Sequence, residues 1–142
     1  MTVTYSTLTK SGTEWGEQAA VFLWRNRSVG SLPIVRWLHA INNQGHGDAV
    51  HGARDKAAGV TAGVCDMFLP VTSRQYAGLY IELKRVKGGT VSPEQRDFMA
   101  YAVSQGYKAV VARGYREAIV SILTYLQEAG YVQDPEQFAP HD

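Results

Sequence analysis

The sequence has a single cysteine, Cys65, in 142 residues, which excludes an internal disulfide and a cysteine-based zinc site. Cys65 sits in an apolar stretch and is expected to be a small buried side chain. Charge of one sign is equally scarce. Fourteen basic residues against 13 acidic ones leave a net charge of +1, too little for a protein that holds nucleic acid by bulk electrostatics. No apolar run reaches the roughly 18 residues of a membrane span, so no membrane partner is expected. Met1-Thr2-Val3-Thr4-Tyr5 lacks the basic start and apolar core of a secretory leader, and a cytoplasmic location is the expectation. Repeats, linkers and low-complexity segments are missing too. What remains is 45% hydrophobic and 19% charged, a composition that buries a core and does not resemble disorder. One domain is expected over residues 1–142, with a core of about 11–130 and a loose tail over 131–142.

Against that plain background, one pattern stands out. Asp66 lies in Gly63-Val64-Cys65-Asp66-Met67-Phe68-Leu69-Pro70, and Glu82 and Lys84 lie in Gly78-Leu79-Tyr80-Ile81-Glu82-Leu83-Lys84-Arg85. Both stretches read as strands. Side chains alternate along a strand, so Glu82 and Lys84 point to one side, while Ile81, Leu83 and Tyr80 help to cover it. If the two strands are neighbours, two carboxylates and one ammonium converge on a small patch. Paired carboxylates repel unless a positive charge lies between them, and a hard divalent cation with oxygen ligands is the usual solution. Asp, Glu and Lys around Mg²⁺ or Mn²⁺ suit phosphodiester hydrolysis, in which the metal polarises phosphate and activates water. A Glu-x-Lys triplet alone is better read as a surface ion pair, since such triplets are common and surface pairs need no function. The second acid in an apolar strand, the glycines before it and the helix start after it favour a site.

That helix start is Ser92-Pro93-Glu94-Gln95, with Ser92 as N-cap, Pro93 as the first helical residue and Gln95 closing a capping box. Gln95 either caps the helix or faces the metal. Ser11-Gly12-Thr13-Glu14 reads as a second capping box, opening a helix over about 12–26 with Trp15, Ala19, Phe22 and Leu23 on its apolar face. Pro33 to Ile41 reads as a strand with Val35, Trp37, His39 and Ile41 on one face. Asn42 to His51 reads as a polar loop whose Asn42, Asn43, Gln44 and His46 are able to donate to phosphates or bases. Ala53 to Ala58 reads as a short helix, Tyr107 to Ala112 as a buried strand, and Tyr115 to Glu128 as an amphipathic helix stopped at Gly130. Arg54, Lys56, Arg85 and Lys87, with Arg25, Arg27 and Arg36, are either phosphate contacts or ordinary solvated basics. Trp37, Tyr80 and Tyr101 either stack on bases or belong to the core.

The three blocks Gly59 to Asp66, Gly78 to Lys84 and Gly89 to Gln95 follow the order G-V-x-x-G-V-x-D, G-L-x-I-E-L-K, G-x-x-S-x-x-Q. In this order and spacing they resemble the virus-type replication-repair nuclease (VRR-NUC) domain of the PD-(D/E)xK superfamily, over about Glu14 to Leu126. Cys65 departs from the pattern, because the family commonly has proline before the Asp. The resemblance implies a restriction-endonuclease-like α/β fold, a mixed central sheet flanked by helices. It implies catalysis by Asp66, Glu82, Lys84 and Gln95, and metal ligation by Asp66, Glu82 and the Leu83 backbone carbonyl. On the first helix it implies Glu14 near the metal, with Glu17 as a rival, and Gln18 behind it. It also implies a stand-alone phage or bacterial protein, working in a bacterial or phage-infected cell. Such a protein would act on DNA as a homodimer, selectively on branched substrates such as a four-way junction, in the company of replication or repair proteins. A non-cleaving or partner-dependent branched-DNA-binding subunit and a sequence-specific restriction enzyme are the alternatives.

Overall fold

The computed structural model describes residues 2–42 and 49–142. Its centre is a four-stranded mixed sheet in the order β1-β2-β3-β4. The strands are β1 (His39–Ala40), β2 (Met67–Leu69), β3 (Leu79–Lys84) and β4 (Lys108–Arg113). The first three are antiparallel neighbours; β4 joins β3 in parallel, with Lys84 opposite Arg113. A parallel pair needs a crossover, and α4 (Pro93–Ser104) supplies it. The other helices are α1 (Tyr5–Thr9), α2 (Glu14–Ser28), α3 (Ala49–Ala57) and α5 (Gly114–Glu128). This is the expected mixed α/β architecture. None of the described helices is long and apolar enough to cross a membrane.

Alternation along β3 divides the sheet into two faces. Leu79, Ile81 and Leu83 join Met67, Leu69 and Ala112 in the main core, under Ala20, Val21 and Trp24 of α2 and Ile119, Ile122 and Leu126 of α5. Tyr80, Glu82 and Lys84 face the other way, toward α4. Tyr80 therefore shares the face of Glu82 instead of covering it from behind. Its ring is enclosed by Phe68 at 4.4 Å, Phe98 at 5.1 Å and Tyr107 at 5.3 Å, so it is a packing residue and not a free stacking surface.

Several local expectations need correction. The Pro33–Ile41 segment is a 3₁₀ turn over Pro33–Trp37 followed by the two-residue β1. Pro33 fixes the start of that turn. Val35 is buried and Trp37 exposed, so they do not share a buried strand face. The buried side of α2 is Gly16, Glu17, Ala20, Val21 and Trp24, whereas Trp15 stands in solvent. The strand over Lys108–Arg113 is an edge of the sheet and only partly buried. The tail is not loose. Val132 is buried, a 3₁₀ turn spans Pro135–Phe138, and the Trp24 indole donates to the Phe138 carbonyl at 2.7 Å. Asp142 then accepts from the Tyr5 and Ser6 backbone N–H groups at the start of α1, a helix the sequence pattern did not announce. Asn43, Gln44 and His46 lie outside the described residues.

Candidate active site

Asp66 enters the site because the sheet aligns it. The register Met67↔Ile81 brings Asp66 level with Glu82 when continued by one residue. Its backbone carbonyl accepts from Ile41 N–H at 2.8 Å, and its carboxylate accepts from Leu83 N–H at 2.7 Å. The carboxylate thus replaces the strand partner that β2 no longer offers beyond Met67. In an extended strand a residue's N–H and C=O point to the same side, so the Leu83 carbonyl lies on the β2 side of β3.

Across the sheet surface lies the second half of the cluster. Lys84 Nζ stands 3.4 Å from Glu82 Oε2. Gln95, reaching in from the first turn of α4, donates from Nε2 to Glu82 Oε2 at 3.1 Å and accepts from Lys84 Nζ at 3.0 Å through Oε1. The same Oε1 accepts from Ser92 N–H at 2.8 Å, while Ser92 Oγ accepts from Gln95 N–H at 3.1 Å. The capping box and the site are therefore one hydrogen-bonded unit. Gln95 caps its helix and fixes the acid and the base with the same amide.

Two glycines of the motif blocks set this geometry by letting backbones approach. Gly63 adopts φ +92° beside α4, and a Cβ there would collide with the Glu94 carbonyl oxygen. Gly78 lies under the Phe68 ring, where a Cβ would stand 2.8 Å from the ring carbons.

The electrostatics are unbalanced. Glu82 is only 1% exposed, and its Oε1 has no hydrogen-bond partner. Burial, and then the neighbouring Asp66 carboxylate, push the Glu82 carboxyl up to about 8, against the weaker pull of Lys84. Cys65 is buried beside the two acids, and burial followed by their charge pushes its thiol up to about 12, so it stays a neutral side chain. An orphaned buried carboxylate oxygen and two crowded acids served by one lysine form a donor set that fits a hard divalent cation. Among the described residues no group of three or more His, Cys, Asp or Glu side chains converges, so carbonyl oxygen and water must complete any coordination shell.

A cleft of about 370 Å³ opens at the Asp66 end of this cluster, and Glu82, Lys84 and Gln95 are not among its lining residues. Asp66 and Leu83 line it from the sheet, Ile41 and Asn42 from the end of β1, and Glu14 and Gln18 from α2. The N-cap of α2 is Thr13, whose side chain accepts from Gly16 N–H at 3.0 Å, so the expected box from Ser11 to Glu14 does not form. Released from capping, Glu14 faces the cleft. Its rival Glu17 is engaged elsewhere. Buried at 3% exposure, Glu17 accepts from Tyr115 N–H at 3.0 Å and caps the start of α5. Arg54 and Lys56 lie in the last turn of α3, exposed, as are Arg85 and Lys87 beyond Lys84.

The chain matches the VRR-NUC domain family over residues 13–116, which is most of its length. The chain belongs to the VRR-NUC family. A solved structure described as a VRR_NUC domain protein aligns with a TM-score of 0.68 at 27% identity, covering 82% of this chain and 90% of that one. No curated protein matches the sequence. VRR-NUC membership carries a nuclease-type, DNA-processing function, and such nuclease domains generally use divalent metals. The matched region holds all of Glu14, Gln18, Asp66, Glu82, Lys84 and Gln95.

Proposed function

We propose that this VRR-NUC protein is a metal-dependent endodeoxyribonuclease whose site is Asp66, Glu82, Lys84 and Gln95. One observation carries the reading: a buried carboxylate with an orphaned oxygen is held against a second carboxylate and a buried lysine, by a glutamine that reaches from its helix into the sheet. As a packing arrangement alone this is costly, because desolvated charges without full compensation destabilise a fold. As half of a metal site, it is complete once a cation arrives.

Asp66 and Glu82 would hold Mg²⁺ or Mn²⁺, with the Leu83 carbonyl beside them and Glu14 across the cleft. A divalent ion there supplies Lewis-acid polarisation of the phosphate and a more acidic water. The protein's own residues do the rest. Lys84 places a positive charge where negative charge grows on the phosphoryl oxygens. Gln95 keeps Lys84 and Glu82 in register, so that neither swings away when substrate enters. Gln18 lies on the same wall one helical turn from Glu14, where it orients water or phosphate.

Selectivity for branched DNA and homodimerisation belong to the same proposal. The net charge of +1 leaves little bulk attraction for a plain duplex. Two copies related by a two-fold axis would offer two clefts to two strands of a junction. The test is cleavage of end-labelled duplex, single strand, flap and four-way junction by the protein and by Lys84→Ala, in EDTA, Mg²⁺ or Mn²⁺. Metal-dependent junction cutting that Lys84→Ala abolishes is the expected result. Equal cutting of every substrate would remove the selectivity, cutting that survives Lys84→Ala would remove the site, and a monomer by light scattering on and off DNA would remove the dimer.

A further inference from the structure

Trp15 is 74% exposed, although tryptophan is among the residues that bury most surface when a core is available. It lines the same cleft as Glu14, Asp66 and Leu83. We propose that Trp15 is a base-stacking residue of the nuclease site: its indole receives the nucleobase next to the phosphate that enters the cleft. The inference rests on the nuclease reading above and adds to it a reason for the choice of substrate.

The indole stands on a rigid base. Trp15 lies in the first turn of α2, and both residues after it are fixed. Gly16 packs so closely on the Leu8 carbonyl of α1 that no Cβ would fit, and Glu17 is bonded to Tyr115 N–H. The three consecutive residues Glu14, Trp15 and Gly16 thus point to the cleft, to solvent at its rim and to α1. The backbone beneath the indole is thereby fixed, so binding has only the two side-chain torsions of Trp15 left to order.

Stacking also answers the charge problem. Every base has an aromatic face, so an indole binds bases without reading sequence, and its contribution does not depend on a basic surface. In continuous duplex both faces of each base are covered by neighbours. A cleft that demands a stacked base therefore favours DNA with an unpaired or unstacked nucleotide at the cut, such as a strand exchange point. Trp37 is exposed too, but its ring is occupied by Arg36 at 4.8 Å and it does not line the cleft.

The experiment uses the full chain, Trp15→Ala and Trp15→Phe, with Ca²⁺ in place of Mg²⁺ so that binding is read separately from cutting. The DNA is a four-way junction, a single strand or a linear duplex, each carrying 2-aminopurine at successive positions around the cut or crossover. Trp15→Ala is expected to weaken junction and single-strand binding on the order of tenfold, with a small effect on duplex, and Trp15→Phe to restore most of it. One 2-aminopurine position should be quenched by the wild type and Trp15→Phe and not by Trp15→Ala. Equal melting temperatures, and equal shifts on adding Mn²⁺, would show that the variants keep the fold and the metal cluster. Unchanged binding in Trp15→Ala, equal weakening on all three DNAs, a Trp15→Phe variant as poor as alanine, or a wild type that binds none of them would each overturn the proposal. A stacking signature in a protein that cuts nothing under any metal would sink the nuclease reading and leave Trp15 as the base-stacking residue of a DNA-binding cleft. Cutting without the signature would do the reverse.

Discussion

Raise the pH of the metal-free protein from 5 to 9 and the fold should weaken, because Glu82 must ionise in a place that does not welcome it. Its carboxyl is 1% exposed, with Oε1 unpartnered and Asp66 beside it, and it is pushed up to about 8 from an ordinary 4.5. Between those values the folded state holds a proton that the unfolded chain has released. Stability then falls as pH rises, since the unfolded state binds fewer protons than the native one. It is fully present below about 4.5 and is lost progressively as pH climbs toward and past about 8. At about 1.4 kcal/mol per unit, a window of this width removes on the order of a few kcal/mol from the folded state. That is a sizeable part of the roughly 5–15 kcal/mol that holds a domain together, equivalent to a melting-temperature fall of about 10 °C. The assay is thermal unfolding in chelator at pH 5 to 9, for the wild type and Glu82→Gln. Glutamine keeps the shape and removes the charge, so groups common to both proteins cancel in the difference. The wild-type curve should slope downward relative to the variant, and Mn²⁺ should lift the wild type at pH 8 and leave Glu82→Gln behind. Parallel curves would refute the reasoning: Lys84 would then hold Glu82 ionised at all these pH values, and no unmet charge would await a cation.

The two acids of α2 should separate by assay. Glu17→Ala leaves the buried Tyr115 N–H without an acceptor and should cost about 1–3 kcal/mol in denaturant unfolding, while Glu14→Gln should leave stability unchanged and lower the metal-dependent cutting rate. Equal stability of the two variants would undo the assignment. Gln95→Ala removes bonds to Ser92, Glu82 and Lys84 together, so melting temperature and cleavage should fall in the same variant, cleavage by about 10- to 100-fold. Full activity in Gln95→Ala would reduce Gln95 to a helix cap. Gly63→Ala should lose at least about 2 kcal/mol, since it combines a left-handed backbone with a collision on Glu94; calorimetry showing a wild-type melting temperature would mean that α4 is free to shift.

What was legible in the sequence was chemistry carried by short-range order. Alternation on β3 puts Glu82 and Lys84 on one face, and the Ser92 to Gln95 spacing gives a capping box at the helix start; both stand in the structure at close range. The mixed sheet was expected from the family resemblance, and the structure has it. What was not legible depended on partners distant in the chain. Nothing local to Pro33–Ile41 says that the segment must turn before it pairs, because its apolar residues alternate as a strand would. The tail is polar and proline-containing, yet Trp24 and α1 hold it through hydrogen bonds that span 114 and 137 residues of sequence. Glu17 looks like a surface acid at a helix start, and only the approach of α5 makes it a buried cap.

The same limit explains α2, where the local signal misplaced the site. Read as a box from Ser11 to Glu14, the sequence consumes Glu14 in capping and rotates Trp15 into the core. With Thr13 as N-cap the helix begins at Glu14, and Glu14 has no capping duty left. Gly16 then meets α1 and Glu17 meets α5, so Trp15 remains on the outside of the turn. A helix chosen for packing alone would not leave one of its two tryptophans in water beside an acid. Local order and global packing disagree at this turn because it serves both, with Gly16 and Glu17 fastening the fold and Glu14 and Trp15 facing what enters the cleft.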